Sequence, residues 1–205
     1  MTYQSKHILI KDPKDGYNAV ADQYGSFHEH LNDFDKGFFL RLLPRETVNL
    51  DVIDLGAGDG RIYKQLQKYP FKSFTACDIA EKLLKKHPGK NVIKTVCDLE
   101  SPLPFADESY DLALCFFVLE HIEDVESFFA ELYRIVKTGG TVIMGYFLQR
   151  REFVWKADKD QFKISLYSHR IQDIQKAAEK AFFQVKLHDI VEKGFLLGWD
   201  IELKK

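Results

Sequence analysis

Cysteine is scarce and ill placed in this 205-residue chain. Cys77, Cys97 and Cys115 are odd in number and widely spaced, so neither a disulfide framework nor a zinc-ligand spacing can be drawn from them. Each falls inside an apolar run, and all three read as small buried hydrophobes. No stretch approaches the roughly 18 uncharged apolar residues that would span a bilayer. The start, Met1-Thr-Tyr-Gln-Ser-Lys-His7, lacks the apolar region of a secretion signal. The expected compartment is the cytoplasm, with no membrane insertion. Neither sign of charge is in excess, since 29 Lys and Arg stand against 31 Asp and Glu for a net −2. The broad basic field of nucleic-acid binding is missing, and no nucleic-acid partner is expected. Repeats, low-complexity linkers and coiled-coil patterns are also lacking, which leaves one domain over residues 1–205 and a monomer or homodimer. No Ser-His-Asp set, metal cluster or acid and base carboxylate pair stands out.

What is there begins with size. The chain is 45% apolar and 29% charged, long enough to bury about 70% of its unfolded surface. Its organising stretch is Leu50-Asp-Val-Ile-Asp-Leu-Gly-Ala-Gly-Asp-Gly-Arg61. The first half is a short apolar, β-branched run suited to a buried parallel strand. The second half places Gly56, Gly58 and Gly60 on alternate positions before a helical pattern. Three glycines within five residues imply a loop that something lies against, and a ligand is the natural object.

Charge narrows the ligand. A dinucleotide turn needs Gly-x-Gly-x-x-Gly, but here the third glycine comes one residue early and Arg61 stands in its place. The P-loop pattern is absent. Asp54 and Asp59 flank the turn, and two carboxylates would repel a pyrophosphate. A cationic, phosphate-free ligand fits better, and S-adenosylmethionine, with its sulfonium and ammonium, is one. Asp54-Leu-Gly-Ala-Gly-Asp-Gly60 resembles motif I of the class I S-adenosylmethionine-dependent methyltransferases. The downstream spacing is similar to their small-molecule, type 11-like branch, which includes the ubiquinone and menaquinone biosynthesis enzymes. The likeness covers residues 48–146 and is loose at both ends.

Residues 1–15 read as a polar, turn-rich lead-in. From Tyr17 to Leu43 the pattern is helical, with Tyr17, Val20, Tyr24, Phe27, Leu31, Phe34, Phe38 and Phe39 at intervals of mostly three or four. This stripe suits helices packed on the sheet or a lid that excludes water from a site. Tyr17-Asn-Ala-Val-Ala-Asp-Gln-Tyr24 is similar to the segment that closes over the cofactor in the family, so 17–43 is drawn as an N-terminal helical lid. A cofactor-binding core follows over 48–146, with strands near 50–55, 72–77, 91–97, 109–116 and 140–147. Helices lie near 60–69, 80–87 and 123–136, and Gly139-Gly140 marks a helix stop. Strand and helix alternation argues for a parallel sheet. Residues 147–167 form a polar and aromatic insertion beside the acceptor site, with Arg150, Arg151, Trp155, Lys156, Lys159 and Phe162. A helix over 168–181 and strands over 183–191 and 195–203, joined through Glu192-Lys-Gly194, complete the chain as an antiparallel hairpin. The fold expected is α/β, a Rossmann-like seven-stranded sheet, parallel except for the C-terminal hairpin, with helices on both faces.

Asp78 closes the second strand, about 20 residues beyond the glycines, where a carboxylate can accept both ribose hydroxyls. An N-cap role is the plainer alternative. The resemblance implies that Asp98, after the third strand, accepts from the adenine amino group, with Leu99 walling the ring; a solvated turn Asp is the alternative. It also implies that Tyr17, Tyr24, Asp54, Gly56, Ala57, Gly58, Ile79, Phe116 and Phe117 contact the cofactor. His121, after the fourth strand, is the titratable group suited to act as a base near pH 7, or else it tethers its loop by a hydrogen bond. Glu120 ranks behind it. Asp111 is expected to order the turn from Pro102 and to have no catalytic part.

The function implied is methyl transfer from S-adenosylmethionine, leaving S-adenosylhomocysteine, to a small-molecule acceptor by in-line displacement. Such chemistry is mainly positioning. The acceptor site is expected between the Tyr17–Phe39 segment and the 147–167 insertion, where Tyr17, Tyr24 and Trp155 would form an aromatic box with Arg150 or Arg151 at its rim. Phe116-Phe-Val-Leu119 stands where an amine-methylating Asn-Pro-Pro-Tyr motif would be, which disfavours protein and nucleic-acid acceptors. Two alternatives remain: a non-catalytic module that binds S-adenosylmethionine or S-adenosylhomocysteine, and a nicotinamide-dependent oxidoreductase.

Overall fold

Strand–helix alternation after residue 50 builds a seven-stranded sheet in the computed structural model, which describes residues 8–27, 34–148, 153–157 and 160–205. In chain order the elements are β1 (Leu9–Lys11), α1 (Pro13–Val20), α2 (Tyr24–Phe27), β2 (Asp51–Leu55), α3 (Arg61–Leu66), β3 (Ser73–Asp78), α4 (Glu81–Lys86), β4 (Ile93–Val96), β5 (Tyr110–Phe116), α5 (Val125–Ile135), β6 (Val136–Phe147), β7 (Trp155–Ala157), β8 (Asp160–Ile164), α6 (Ile171–Lys180), β9 (Gln184–Glu192) and β10 (Phe195–Lys204). The large sheet runs β4-β3-β2-β5-β6-β10-β9. Its first five strands are parallel, and β10 lies antiparallel between β6 and β9. The expected Rossmann-like sheet with a terminal hairpin is therefore observed.

Period-two alternation gives the central strands two buried faces. Ile53, Leu55, Ala113 and Cys115 join Phe128, Phe129 and Leu132 of α5 on one side. Val52, Leu112, Leu114 and Phe116 meet Ile62, Leu66 and Phe39 on the other. Each such large side chain fully buried contributes roughly 1.5–3 kcal/mol. At the ends of the strands remote from the turn, Lys137 Nζ reaches Asp111 Oδ2 (2.8 Å) and Asp51 Oδ2 (3.1 Å), and the Asp51 amide donates to Asp111. Asp111 thus ties strand starts together. The turn before β5 is held instead by Arg134, which donates to the Leu103 and Phe105 carbonyls.

Four expectations are corrected. The lead-in carries β1, and α1 starts at Pro13 rather than Tyr17 because Asp12 caps it by accepting from the Asp15 amide, with proline at the first helical position. The 147–167 insertion supplies β7 and β8, which form a small sheet in the order β1-β8-β7. Its residues Trp155, Phe162 and Ile164 pack with Val20 of α1. Helix α5 ends at Ile135, four residues before Gly139, and the chain turns directly into β6. Cys77 and Cys97 are joined as a disulfide with Cα atoms 6.0 Å apart, Cys97 following directly on β4, whose Thr95 pairs with Cys77 in the parallel register. Cys115 is free and buried, as expected. Leu31, Arg150, Arg151 and Lys159 lie outside the described residues. Among the described residues no helix is long and apolar enough to cross a membrane.

Candidate functional site

The carboxyl ends of β2, β3 and β5 open into a cleft of about 520 Å³, a size usual for small-molecule sites. Gly56, Gly58 and Gly60 all have left-handed backbones, with φ of 73°, 55° and 84°. Their surroundings differ. A Cβ on Gly56 would lie 2.2 Å from Val118 Cγ2, and one on Gly60 would lie 2.6 Å from His87 Cδ2 and 2.7 Å from Pro88 Cδ. Both are held by the protein's own packing. A Cβ on Gly58 would meet only Tyr24 Cε1 at 3.8 Å, so this glycine leaves its face to the cleft.

Asp78 ends β3 against that turn. Its carboxylate accepts from the Gly58 amide and from the Ala80 amide, each at 2.7 Å. Burial nonetheless pushes it up to about 6. Each carboxylate oxygen keeps spare acceptor capacity, and Asp78 lines the cleft with Ile79, Asp98 and Leu99. Asp98 braces its own turn by accepting from the Glu100 amide at 2.9 Å. Tyr17, Tyr24, Gly56, Phe116, Phe117 and His121 complete the predicted residues found there. Ala57 lines a smaller adjoining chamber of about 110 Å³ instead.

Asp54 lines neither cavity and lies beneath the turn, 1% exposed, with Oδ2 lacking a hydrogen-bond partner. Desolvation raises it to about 7, against the pull of the nearby Arg61 guanidinium. Phe117 carries a left-handed backbone (φ 60°), costly for so bulky a side chain. Its amide donates to the Gly145 carbonyl at 2.9 Å, and the Arg61 guanidinium lies 4.7 Å from its ring centroid. Strain of this kind clusters where a side chain must be aimed.

His121 is held at both nitrogens. Nδ1 faces the Ser165 carbonyl at 3.3 Å, which can only accept, so the proton sits on Nδ1 and Nε2 accepts from the Tyr17 hydroxyl at 2.8 Å. Burial lowers the imidazole to about 4. Tyr17, Tyr24 and Trp155 gather with ring centroids 5.6 to 6.2 Å apart, while the arginines expected at the rim of such a box lie outside the described residues. Helix α1 and the turn after it are tied to their neighbours: Asn18 Oδ1 accepts from the Lys82 amide at 2.9 Å, Asp22 pairs with Lys86, and the Gln23 side chain donates to the Lys156 carbonyl.

Several lining residues were missed from sequence. Asp12, Lys14 and Asp15 come from the supposed lead-in, and Glu100 follows Asp98. The Asp-Pro pair, an N-cap signal read as a turn, could have found the first three. Glu120, set behind His121, faces the smaller chamber; its place just past a strand's carboxyl end was the available signal.

The cleft therefore presents Asp12, Asp15, Asp78, Asp98 and Glu100 against one lysine, Lys14. That donor set suits hydroxyls, an amino group and positive charge, and it suits a pyrophosphate poorly. An open, largely parallel sheet with an acidic nucleoside-sized cleft at its strand ends defines an α/β nucleoside-binding protein. A family model described as a methyltransferase domain matches residues 53–144. The chain is 32% identical over 153 residues to the ubiquinone/menaquinone biosynthesis C-methyltransferase UbiE of Desulfotalea psychrophila, covering 70% of this chain and 62% of that protein. It thus spans about three-fifths of that relative's length. Its fold matches S-adenosylmethionine-dependent methyltransferases from Aquifex aeolicus (TM-score 0.68, 16% identity, 90% of this chain and 97% of the other) and Mesorhizobium loti (TM-score 0.65, 17%, 81% and 95%). The chain belongs to the class I S-adenosylmethionine-dependent methyltransferases. The residues in the cleft fit that family's cofactor: an open glycine face, acceptors at two strand ends, and an acidic field.

Proposed function

We propose that this protein transfers a methyl group to a small-molecule acceptor by in-line displacement. The observation that carries the reading is the convergence of Gly58, Asp78 and Asp98 on one acidic cleft, with a second chamber that shares Phe117 and His121 with it. S-adenosylmethionine, when bound, supplies an electrophilic methyl group whose leaving group departs neutral. Asp78 holds the ribose hydroxyls, Asp98 accepts from the adenine amino group, and Ile79 and Leu99 wall the base. Gly56, Ala57 and Gly58 give the methionine end a backbone surface, and buried Asp54 contributes negative charge from beneath it. Tyr17 and Tyr24 close over the cofactor and exclude water, while Phe116 and Phe117 wall the transfer site.

His121 acts as a positioning residue, because both of its nitrogens are already engaged and one of them fixes Tyr17. Holding nucleophile and methyl carbon in line can supply roughly 7–11 kcal/mol, so the chain's main task is geometric. Incubation with methyl-labelled cofactor and a fractionated metabolite pool tests the reading. Label is expected in a small molecule; sustained failure to transfer, with cofactor bound, would overturn it in favour of a binding module.

A further inference from the structure

The smaller chamber holds a group that the reading above leaves unused. Glu120 is 3% exposed, and neither of its carboxylate oxygens has a hydrogen-bond partner. A buried carboxyl in that condition is costly and needs an explanation. Burial pushes it up to about 8, with the amides of Glu120 itself and Phe147 near enough to ease the charge but outside hydrogen-bond geometry. Every titratable group facing it is neutral or committed. The Tyr17 hydroxyl donates to His121, the Tyr146 hydroxyl donates to the His169 carbonyl at 2.7 Å, and the Cys115 thiol is buried. Arg61 shares the chamber, but its field falls on Tyr24, Asp54, Asp35 and Asp59. Among the described residues no cationic side chain is one of the groups acting on Glu120.

The chamber walls are aromatic, with Phe116, Phe117, Phe147, Trp155 and Tyr17 around the carboxyl. About 110 Å³ is roughly the share of four water molecules, room for the reacting end of an acceptor and little more. A carboxylate without partners set among π-faces suits one ligand charge. An ammonium offers three N–H donors to two empty oxygens and a cation to the rings. A hydroxyl would fill one acceptor and bring no charge, and an anionic head could be drawn to Arg61 in the same chamber but could not pair with an ionised Glu120.

We propose that the methyl acceptor is a small amine, bound as its ammonium ion against Glu120 within this ring-lined chamber. The proposal rests on the methyl-transfer reading. Glu120 takes one proton from the ammonium, which frees the nitrogen lone pair. That pair forms the new N–C bond as the C–S bond breaks and its electrons pass to sulfur. Sulfonium, ammonium and carboxylate thus become thioether, methylammonium and carboxylic acid, with net charge conserved. The product leaves with its positive charge, and Glu120 stays protonated until the next ammonium binds and sends that proton to water.

The test is binding without turnover. Primary amines from methylamine to benzylamine are titrated into the protein saturated with S-adenosylhomocysteine, with benzyl alcohol and benzoate as matched controls, by calorimetry and Trp fluorescence. The expected result is at least tenfold tighter binding of an amine than of its alcohol, with close to one proton released at pH 6.5. The isosteric Glu120→Gln variant should lose that preference while its S-adenosylhomocysteine affinity stays within twofold. Equal affinity for amine and alcohol, or amine binding by wild type without proton release, would overturn the proposal even if the variant did not fold. A preference that survives in Glu120→Gln would also overturn it. Label transferred to alcohols or thiols but not to amines would defeat the amine assignment alone, whereas wild type that binds no S-adenosylhomocysteine would defeat the methyl-transfer reading beneath it.

Discussion

Substituting the turn glycines one at a time separates what the ligand demands from what the fold demands. Gly58→Ala and Gly60→Ala both place a Cβ on a left-handed backbone, at roughly 1–2 kcal/mol. For a chain of this length, 1 kcal/mol moves the melting temperature by about 2–4 °C. Gly58→Ala adds only an ordinary contact with Tyr24 at 3.8 Å, so a fall of about 2–8 °C is expected. Gly60→Ala drives the same atom to 2.6 Å from His87 and 2.7 Å from Pro88. Overpacking adds roughly 1–3 kcal/mol, for a total fall of about 4–20 °C. Affinity should move the other way. The new methyl at Gly58 occupies the cleft face, and the dissociation constant for S-adenosylhomocysteine should rise tenfold or more, which is about 1.4 kcal/mol. Folded Gly60→Ala should bind nearly as wild type. Differential scanning fluorimetry with and without ligand, followed by calorimetry, gives both quantities. If Gly58→Ala binds unchanged, or if the two variants melt alike, the division of labour drawn here is wrong.

Three further outcomes are expected. Asp78→Asn exchanges an ionised acceptor for an amide beside two backbone donors, and at roughly 1.5–3 kcal/mol for a charged hydrogen bond it should weaken S-adenosylhomocysteine binding about tenfold to 150-fold by calorimetry. His121→Asn should lower kcat/KM by no more than about tenfold, the worth of a neutral hydrogen bond. It should leave the pH profile between 5.5 and 9 unchanged in shape, because the imidazole, lowered to about 4, is already neutral there; loss of an inflexion near 6.5 would restore the general-base role. Asp200 is fully buried in β10, and desolvation together with the neighbouring Asp35 carboxylate raises it to about 8. With a folded value above the unfolded value of about 3.9, its contribution is full below about pH 4 and is lost as pH climbs to 8. Asp200→Asn should therefore flatten that decline, by up to about 4 kcal/mol over three pH units at ~1.4 kcal/mol per unit, in denaturant melts at pH 5 and pH 8.

The positions of the core strands and the terminal hairpin were legible because their signals are local. Val52 to Leu55, Leu112 to Phe116 and the Glu192-Lys-Gly194 joint carry period, length and turn chemistry in a few adjacent residues. Strands of three to five residues, such as β1, β7 and β8, carry too little pattern to show, and they form only because α1 and Trp155 share their small core. Candidate site residues divided along the same line. Asp78, Asp98 and Leu99 follow from their places at strand ends, which sequence can mark. Whether a glycine faces ligand or protein depends on Val118, His87 and Pro88, residues 27 to 62 positions away. The sequence also could not separate Asp54, beneath the turn, from Asp78, in the cleft. Glu120 drew little notice because a carboxylate in a loop is ordinarily solvated; only the closing of Phe147 and Trp155 around it makes it conspicuous.

Soaking crystals with S-adenosylhomocysteine and locating the nucleoside measures the central claim most directly. The account predicts ribose density on Asp78, the adenine beside Asp98 and Leu99, and the amino-acid end running past Gly58 toward Phe117. A cleft that stays vacant at saturating ligand, or a nucleoside bound elsewhere on the molecule, would contradict it.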